Sequence, residues 1–234
     1  MTTQAIILDT ETHTLNGLPI QIAYFPCLFE QGGFFLDKHA VFDELFSIDQ
    51  PIDYGAMAVH HIIEADLIGK PSYKTFTMPE DTVYVIAHNV KYDLDVLKHC
   101  GIDTSKYKPI CTLALSRMVF PAAPAHTISA LSYMLSQDQE NTRKQLKEAH
   151  NAKADILLTG DILKHIIHAL NVRSMEQLYL LSEQALIPSH IHFGKHRGTA
   201  IADLPMDYKQ WLLRQDELDP YLRKALTAVN GVGA

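Results

Sequence analysis

Short apolar runs separated by turn residues dominate the first half of the chain. The run Ala5 to Leu8 contains branched side chains and is too short for a helix, which predicts a strand covered on both faces. Pro19 to Cys27 and Gly33 to Val41 predict two more strands, and their short spacing favours an antiparallel hairpin. Val83 to Ala87 and Pro109 to Cys111 are further apolar segments, and they complete a set of five predicted strands.

Helical spacing follows the later strands. Lys91 to His99 has this spacing, and a strand, a sharp turn and a helix form the building unit of α/β folds. Thr112 to Phe120 and His126 to Leu135 predict two more helices. Ala152 to Leu170 is the longest helical pattern and carries a broad apolar stripe, which predicts a helix packed along the core.

The last part of the chain changes character. Ser174 begins a helix with a capping-box pattern, and this helix ends before a proline. A strand from His190 to Phe193, a Gly-flanked basic turn from Gly194 to Gly198 and two short helices then follow. We therefore predict one domain over residues 1–172 and a small α+β extension over residues 173–234.

The extension allows two interpretations of each of its features. Its last two helices carry an aromatic and leucine stripe, which we interpret as the core of the extension, with a homodimer contact as the second interpretation. Lys195 and Arg197 stand in the basic turn, where they either meet the phosphates of a nucleic acid or form a solvated hairpin tip. His190, His192 and His196 also have a spacing that a three-histidine zinc site would need, although an ordinary surface role is favoured.

Composition narrows the class of protein. Of the 234 residues, 47% are hydrophobic, which suffices for a sizeable core. The formal net charge of -7 argues against a protein that coats nucleic acid through bulk positive charge, but it allows an enzyme that engages one strand end. No apolar run has the length of a membrane span, the N-terminus shows no secretory signal, and Cys27, Cys100 and Cys111 have no C-x-x-C spacing. We expect a cytoplasmic protein with reduced thiols and no membrane association.

Two acids end the first predicted strand. Because strand side chains alternate, Asp9 and Glu11 point to one side and Thr10 points to the other. Two neighbouring carboxylates repel each other unless one holds its proton or a divalent cation lies between them. Taken alone, the pair favours a strand that ends in solvated acids over a metal site.

Further acids begin two of the predicted helices. Asp93 falls in the first turn of the helix from Lys91, and Asp155 lies on the long helix. His150 precedes Asp155 by five residues, about 500° of helical rotation, so we place it on the loop that enters the helix. Four carboxylates and one histidine fit metal-assisted hydrolysis, with the histidine taking a proton from the attacking water.

The order and spacing of these residues resemble a known family. Asp9-Thr10-Glu11, His88 to Asp93 (H-N-V-K-Y-D) and His150 to Asp155 (H-N-A-K-A-D) are similar to the D-x-E, H-N-x-x-F-D and H-x-A-x-x-D motifs of DEDDh 3′→5′ exonucleases. Phe193 to Gly198 and Tyr208 to Leu212 resemble the C-terminal part of one bacterial branch of that family. The resemblance implies an α/β, ribonuclease H-like fold, in which helices flank a mixed five-stranded sheet.

The resemblance also implies roles for the motif residues. Asp9, Glu11 and Asp155 would bind the metal that holds the scissile phosphate, Asp9 with Asp93 would serve the second metal, and His150 would be the general base. The family implies two Mg²⁺ or Mn²⁺ ions in each active site, a DNA 3′ end as substrate and nucleoside 5′-monophosphates as products. RNA or short oligoribonucleotides are the alternative substrate, and a nucleic-acid-binding module without catalysis is the alternative class.

Contacts with the substrate follow from the same motifs. The residues implied are Thr10, Thr12, Leu15, His60 and Asn89. Leu15 keeps the apolar position that would wedge against the last base, whereas His60 and its neighbour His61 have a structural interpretation beside the functional one. The sequence departs from the family at Thr14, where a glycine is usual, at Tyr92, where a phenylalanine is usual, and at Ile156, where a small residue is common.

Overall fold

The computed structural model describes residues 5–148, 150–191 and 193–230. The chain divides into two compact units, Met1–Ser182 and Glu183–Ala234. The predicted boundary, after residue 172, lies earlier in the chain than the boundary in the structure, because the helix that follows residue 172 packs on the sheet of the first unit. The Tyr84 hydroxyl donates to Glu176 (2.7 Å), and the Cys111 N–H donates to the Ser182 hydroxyl (2.8 Å). That the two stretches have separate functions stays a prediction.

A six-stranded mixed sheet forms the centre of the first unit. Its strands are β1 (Ala5–Thr12), β2 (Pro19–Glu30), β3 (Gly33–Leu36), β4 (Phe42–Leu45), β5 (Tyr84–Ala87) and β6 (Lys108–Cys111). The order is β3-β2-β1-β5-β6, with β4 also paired to β2. Central β1 runs antiparallel to β2 and parallel to β5, and its apolar residues Ala5 to Leu8 are at most 1% exposed, as expected for a strand covered on both faces.

The strand predicted over Gly33 to Val41 is wrong in its extent, because β3 ends at Leu36 and a separate short strand, β4, begins only at Phe42. Both β3 and β4 pair with the same edge of β2, and they are separated by a turn that begins at Asp37. The Asp37 carboxylate accepts hydrogen bonds from the N–H groups of His39 (3.1 Å) and Ala40 (3.3 Å). Hydrogen bonds from the Asp37 side chain to the backbone compete with the hydrogen bonds of a continuous strand, so the sheet has six strands instead of the five predicted. The sheet is otherwise mixed and flanked by helices, as predicted.

Helices cover both faces of this sheet. Those of the first unit and its boundary are α1 (Tyr54–His60), α2 (Val90–His99), α3 (Thr112–Val119), α4 (Ile128–Leu135), α5 (Gln139–Gln145), α6 (Ala152–Leu170) and α7 (Met175–Ala185). The bounds of α6 are those predicted from its apolar stripe, and ten of its residues are buried. Within the described ranges, no helix combines the length and the apolar run that crossing a bilayer requires.

Gly160 lets α6 approach the sheet closely. A Cβ atom at this position would lie 3.0 Å from Phe25 Cζ and from Leu36 Cδ1, and 3.5 Å from Ile7 Cδ1. Ile7 lies on the same face of β1 as Asp9 and Glu11, since strand side chains alternate. The close contact at Gly160 therefore sets how near the beginning of α6 comes to the two acids.

The second unit is built on α8 (Met206–Leu213) and α9 (Pro220–Asn230). Its core contains Ile191, Ile201, Leu204, Leu212, Leu222, Ala225 and Leu226, so the predicted stripe does supply core residues. Trp211 differs, because half of it is exposed. The strand predicted over His190 to Phe193 is wrong: the described residues show a single bridge between His190 and Ala200, and His192 lies outside the described residues.

Filling the space at Gly160 tests this packing. We expect Gly160→Val to lower the free energy of unfolding by about 1–3 kcal/mol, because the added methyl groups meet Phe25 and Leu36 in a filled core. Denaturant unfolding measures the change. The matched control is Gly55→Val in α1, where a Cβ meets nothing within 4 Å and the expected change is below about 0.5 kcal/mol. Equal effects at the two sites would contradict the close contact.

Candidate active site

Three of the four predicted carboxylates meet at the end of β1. Asp9 and Glu11 are half-buried on one face of the strand, and Asp155 reaches them from the first turn of α6. One ligand atom from each of the three lies within 4.8 Å of the others. Among the described residues, this is the only such group of histidine, cysteine or acidic side chains, and its oxygen atoms suit a hard divalent cation.

The first turn of α6 is held by a residue that the sequence patterns did not single out. Gln21 lies opposite Glu11 in the β1–β2 register and is 3% exposed. Its Oε1 accepts from the N–H of Ala152 (3.2 Å), and its Nε2 donates to Asp43 Oδ1 (2.8 Å). Gln21 thus fixes the beginning of α6 against the strand beside Glu11. The sequence does contain a signal for it, namely a polar amide inside an otherwise apolar strand.

Asp93 approaches from the other side of β1. It is 2% exposed, and its Oδ1 accepts a hydrogen bond from the Thr10 hydroxyl (2.9 Å). Asp93 is not one of the three clustered acids, but its negative charge raises the pKa of both Asp9 and Glu11. The exposed Asn89, at φ 79, turns the chain from β5 into α2 and so delivers Asp93 to this position.

The pKa values of all four acids lie above the usual range. Burial is the largest cause for each of them, and for Asp9 the charges of Asp93, Glu11 and Asp155 add to it. The pKa rises to about 8 for Glu11, about 7 for Asp93 and about 6 for Asp155. Within the described ranges, no lysine or arginine forms an ion pair with any of the four. A divalent cation would supply the missing positive charge, so the donor set fits the predicted metal.

His150 stands at the entrance to α6, as its spacing predicted. It is exposed and adopts φ 63, an unusual backbone conformation for a residue with a Cβ. Its charge and a hydrogen bond from its backbone N–H lower the pKa of Asp155, against the larger effect of burial. His150 is thus next to the acid cluster, on the solvent side.

A cavity of about 490 Å³ opens beside Glu11. Thr12, Leu15, Tyr54, Val59, His60 and Tyr92 are among the residues that line it. Leu15 is 81% exposed and Tyr54 is 87% exposed, so large apolar surfaces face solvent next to the carboxylates. Such surfaces are typical of binding sites.

Hydrogen bonds hold the loop that presents Leu15. The Thr14 hydroxyl donates to the Asp53 carboxylate, and the Asp53 N–H donates to the carbonyl of His13 (2.8 Å). The buried His13 ring accepts from the Leu18 N–H at Nδ1 (2.8 Å), which leaves Nε2 to donate to Gln50 Oε1 (3.0 Å). Thr14, which replaces the usual glycine of the family motif, therefore ties this loop to the segment before α1.

Tyr92 adds a second attachment to the same loop. Its hydroxyl lies 2.7 Å from the Thr12 hydroxyl, and Thr12 in turn donates to the carbonyl of Thr14 (2.8 Å). The phenylalanine usual at this position has no hydroxyl for such a contact. The tyrosine is therefore more than a neutral replacement.

His60 lines this cavity, and one of its ring nitrogens lacks an ordinary hydrogen bond among the described residues. Its Nδ1 accepts from the Ile62 N–H (3.0 Å), so Nε2 carries the proton of the neutral ring. Nε2 is buried and makes no hydrogen bond of ordinary geometry within the described part of the chain. Burial lowers the His60 pKa, against a smaller opposite effect of the Thr12 carbonyl, which favours the neutral ring.

The other predicted contact residues have different positions. The Thr10 side chain is buried and bonded to Asp93, whereas Thr12 and Leu15 line the cavity. Lys195 and Arg197 are exposed in the second unit. The zinc alternative stays untested because His192 lies outside the described residues, and His190 Nδ1 lies 2.9 Å from the Ser189 hydroxyl.

Proteins of known sequence show similarity to the chain. No model of a known protein family matches the chain. The chain is 28% identical to exodeoxyribonuclease 10 of Escherichia coli K12, over 94% of this chain and 96% of the relative. It is also 28% identical, over 58% of its length, to a DNA polymerase III subunit epsilon-like protein of Rhodobacter capsulatus, of which the match covers 20%.

Solved structures share the fold. Exonuclease X in complex with 5′ overhanging duplex DNA matches with a TM-score of 0.54 and 24% identity, over 76% of this chain and 99% of that chain. Escherichia coli exonuclease I in complex with a dT13 oligonucleotide matches with a TM-score of 0.54 and 16% identity, over 71% of this chain and 41% of that chain. The ribonuclease H-like fold and the resemblance to exodeoxyribonuclease X, also called exodeoxyribonuclease 10, are therefore confirmed.

The raised pKa values predict how stability depends on pH and metal. Without metal, these acids contribute most to stability in their neutral forms, below about pH 4, and this contribution is lost as pH rises through the folded pKa values of about 6 to 8. We expect the melting temperature in chelator to fall between about pH 5 and pH 8. Mn²⁺ or Mg²⁺ should restore it, more strongly at the higher pH, because protons compete with the ion.

The variant Glu11→Gln tests whether the acid cluster causes this pH dependence. We expect this variant to raise the metal-free melting temperature at about pH 8 by at least about 3 °C and to reduce the response to metal. Glu80→Gln, at an exposed acid outside the cluster, is the matched control and should behave as the original chain. A metal-free melting temperature that rises with pH over this range would contradict the electrostatics.

Proposed function

We propose that the chain is a divalent-metal-dependent 3′→5′ exonuclease that hydrolyses DNA to nucleoside 5′-monophosphates. The observation that carries the proposal is the cluster of Asp9, Glu11 and Asp155 within 4.8 Å, which opens onto a cavity of about 490 Å³. The similarity to exodeoxyribonuclease 10 over nearly the whole of both chains supports a nuclease. The relative solved with an overhanging duplex supports DNA as the substrate, and RNA is the alternative that the test below includes.

Asp9, Glu11 and Asp155 would hold the ion at the scissile phosphate, and Asp9 with Asp93 would serve a second ion. When bound, Mg²⁺ or Mn²⁺ offsets the negative charge of the phosphate and makes a water molecule more acidic. Thr10 positions Asp93 through the hydroxyl that it donates to Oδ1. Gln21 positions Asp155 by fixing the first turn of α6.

His150 would take the proton from the attacking water. Its ring is exposed at the edge of the cluster, where water reaches it, and no helix constrains its side chain. Asp155 is close enough for its carboxylate to stabilise the imidazolium that forms. A histidine in this position can then release the proton to solvent between turnovers.

The cavity beside Glu11 would hold the terminal nucleotide. Leu15, Tyr54 and Val59 would offer apolar surface to a base, and His60, which lines the same cavity, would lie beside the sugar. Asn89, at the entrance to α2, would contribute a further polar contact. Because none of these groups distinguishes one base from another, we expect little sequence preference.

Hydrolysis of end-labelled strands tests the proposal. With Mg²⁺ or Mn²⁺, the protein should shorten a 5′-labelled DNA strand one nucleotide at a time, release 5′-monophosphates and stop when a chelator is added. Matched DNA and RNA, single- and double-stranded, identify the preferred substrate. Shortening of RNA alone would replace the DNA assignment, and no shortening under either metal would favour a binding module.

His150→Ala tests the proton transfer. We expect kcat to fall by about 100-fold or more while Mn²⁺ binding, followed by calorimetry, is retained. His165→Ala, at an exposed histidine on α6 outside the cluster, is the matched control and should keep kcat within about 2-fold. Near-normal turnover of His150→Ala would show that another group takes the proton.

Thr14→Val tests the loop that presents Leu15. The substitution removes the hydroxyl that donates to Asp53 and keeps the shape of the side chain. We expect KM for DNA to rise by about 3- to 10-fold with kcat within about 2-fold, because a looser loop weakens binding rather than chemistry. Thr82→Val, whose hydroxyl donates to the Pro79 carbonyl, is the control. A fall in kcat at constant KM would contradict this role.

A further inference from the structure

The second unit places aromatic rings and positive charges side by side on its surface. Tyr208 and Trp211 lie on α8, three residues apart, with their ring centroids 5.5 Å apart and their planes inclined by 23°. The ring of His196 also packs on Tyr208, at 4.4 Å between centroids. The rings of His196, Tyr208 and Trp211 thus form a short row, which we call the aromatic row.

Solvent reaches one end of the aromatic row. Trp211 is 50% exposed, although the rest of α8 supplies Leu212 to the core of the unit. Phe193, which begins the turn beside the row, is 46% exposed. Half of Trp211 therefore remains exposed to water, and such a surface can stack on the flat apolar face of a partner.

Two cations stand beside the row. Lys195 Nζ lies 5.5 Å from the centroid of the Tyr208 ring, and Arg197 is exposed two residues further on. Neither forms an ion pair within the described ranges, and residues 190–202 contain no Asp or Glu. The next acids along the chain, Asp203 and Asp207, are exposed and leave both cations unpaired. The positive charge here is local, since the whole chain has a formal net charge of -7.

The turn that carries the cations is fixed to the row. Gly194 at φ +62 and Gly198 at φ +85 adopt a conformation that favours glycine, and the Gly198 N–H donates to the Ile191 carbonyl (2.7 Å). A Cβ at Gly194 would lie 3.4 Å from the Tyr208 hydroxyl, so the turn lies directly against that ring. Lys195 and Arg197 are therefore presented by a rigid turn, which differs from a freely solvated hairpin tip.

We propose that the aromatic row and the Lys195–Arg197 turn form a binding surface for single-stranded nucleic acid, with a base stacked on Trp211 and the backbone phosphates at Lys195 and Arg197. Exposed rings that alternate with unpaired cations are the combination by which proteins hold single strands without reading their sequence. A second copy of the chain fits less well, because it would bring the same cations against each other. This surface is distinct from the hydrolytic site, and its proposal does not depend on hydrolysis.

Tryptophan fluorescence reports directly on this surface, because Trp211 is the only tryptophan of the chain. The full-length protein is titrated with an oligothymidylate of about twenty nucleotides in chelator, which prevents hydrolysis and leaves the acidic cluster repelling DNA. We expect the emission to be quenched with a midpoint between about 1 and 100 µM at moderate salt. Binding that is seen by anisotropy of the labelled strand but leaves the emission unchanged would overturn the proposal.

Charge variants test the role of the turn. Lys195→Gln with Arg197→Gln should raise the quenching midpoint by about tenfold and lower the slope of log affinity against log salt by about 1.4, the loss expected for two phosphate contacts on a single strand. Lys106→Gln with Lys224→Gln removes the same charge from exposed positions elsewhere and is the matched control. Equal weakening by both pairs would attribute the binding to bulk charge and overturn the proposal.

Ring variants test the stacking and the rival occupant. Trp211→Ala should weaken binding measured by anisotropy by at least about fivefold, whereas Trp211→Phe keeps a ring and should retain most of it. A Trp211→Ala chain that binds DNA normally but changes its oligomeric state in gel filtration would assign the surface to a second copy. If the original chain binds but does not hydrolyse DNA, the proposed function fails while this inference stands.

Discussion

Repulsion among buried acids is the constraint on which the rest of the first unit depends. Asp9, Glu11, Asp93 and Asp155 lie where burial favours their neutral forms and where each charge opposes the others. Such a cluster persists only if the surrounding structure is stable enough to hold it. The mixed sheet, the packing of α6 at Gly160 and the bond from Thr10 to Asp93 provide that support. A divalent ion would convert the same repulsion into affinity.

The two faces of β1 contact different helices at the acid cluster. The face of β1 that carries Asp9 and Glu11 meets α6, and the face that carries Thr10 meets Asp93 of α2. The two helices therefore bring their acids to β1 from opposite sides, and neither helix needs to contact the other. A residue in a left-handed conformation lies close before each helix, Asn89 immediately before α2 and His150 two residues before α6. These abrupt entries let an acid sit in the first helical turn, close to the strand end.

Sequence patterns predicted the parts of this arrangement that depend on periodicity. Strand alternation placed Asp9 and Glu11 together, and the apolar stripe of α6 placed Asp155 on a helix that must pack on the sheet. The patterns missed features that depend on individual side-chain hydrogen bonds. Asp37 breaks a predicted strand because its carboxylate caps a turn, and a run of apolar letters does not reveal that competition. Gln21 was missed because its two partners are distant in sequence and become its neighbours only in the fold.

The side-chain amide of Gln21 connects the edge of the sheet to the acid cluster. Its two ends join Asp43 of the edge strand β4 to the first residue of α6, and Lys153 Nζ lies 3.9 Å from the same Asp43 carboxylate. A displacement of the β3–β4 edge is thereby transmitted through one side chain to the turn that carries Asp155. Substitutions in these two edge strands, which contain no proposed metal ligand, would therefore affect the active site. Random variants with reduced activity should then include substitutions in β3 and β4, although these strands supply none of the proposed metal ligands.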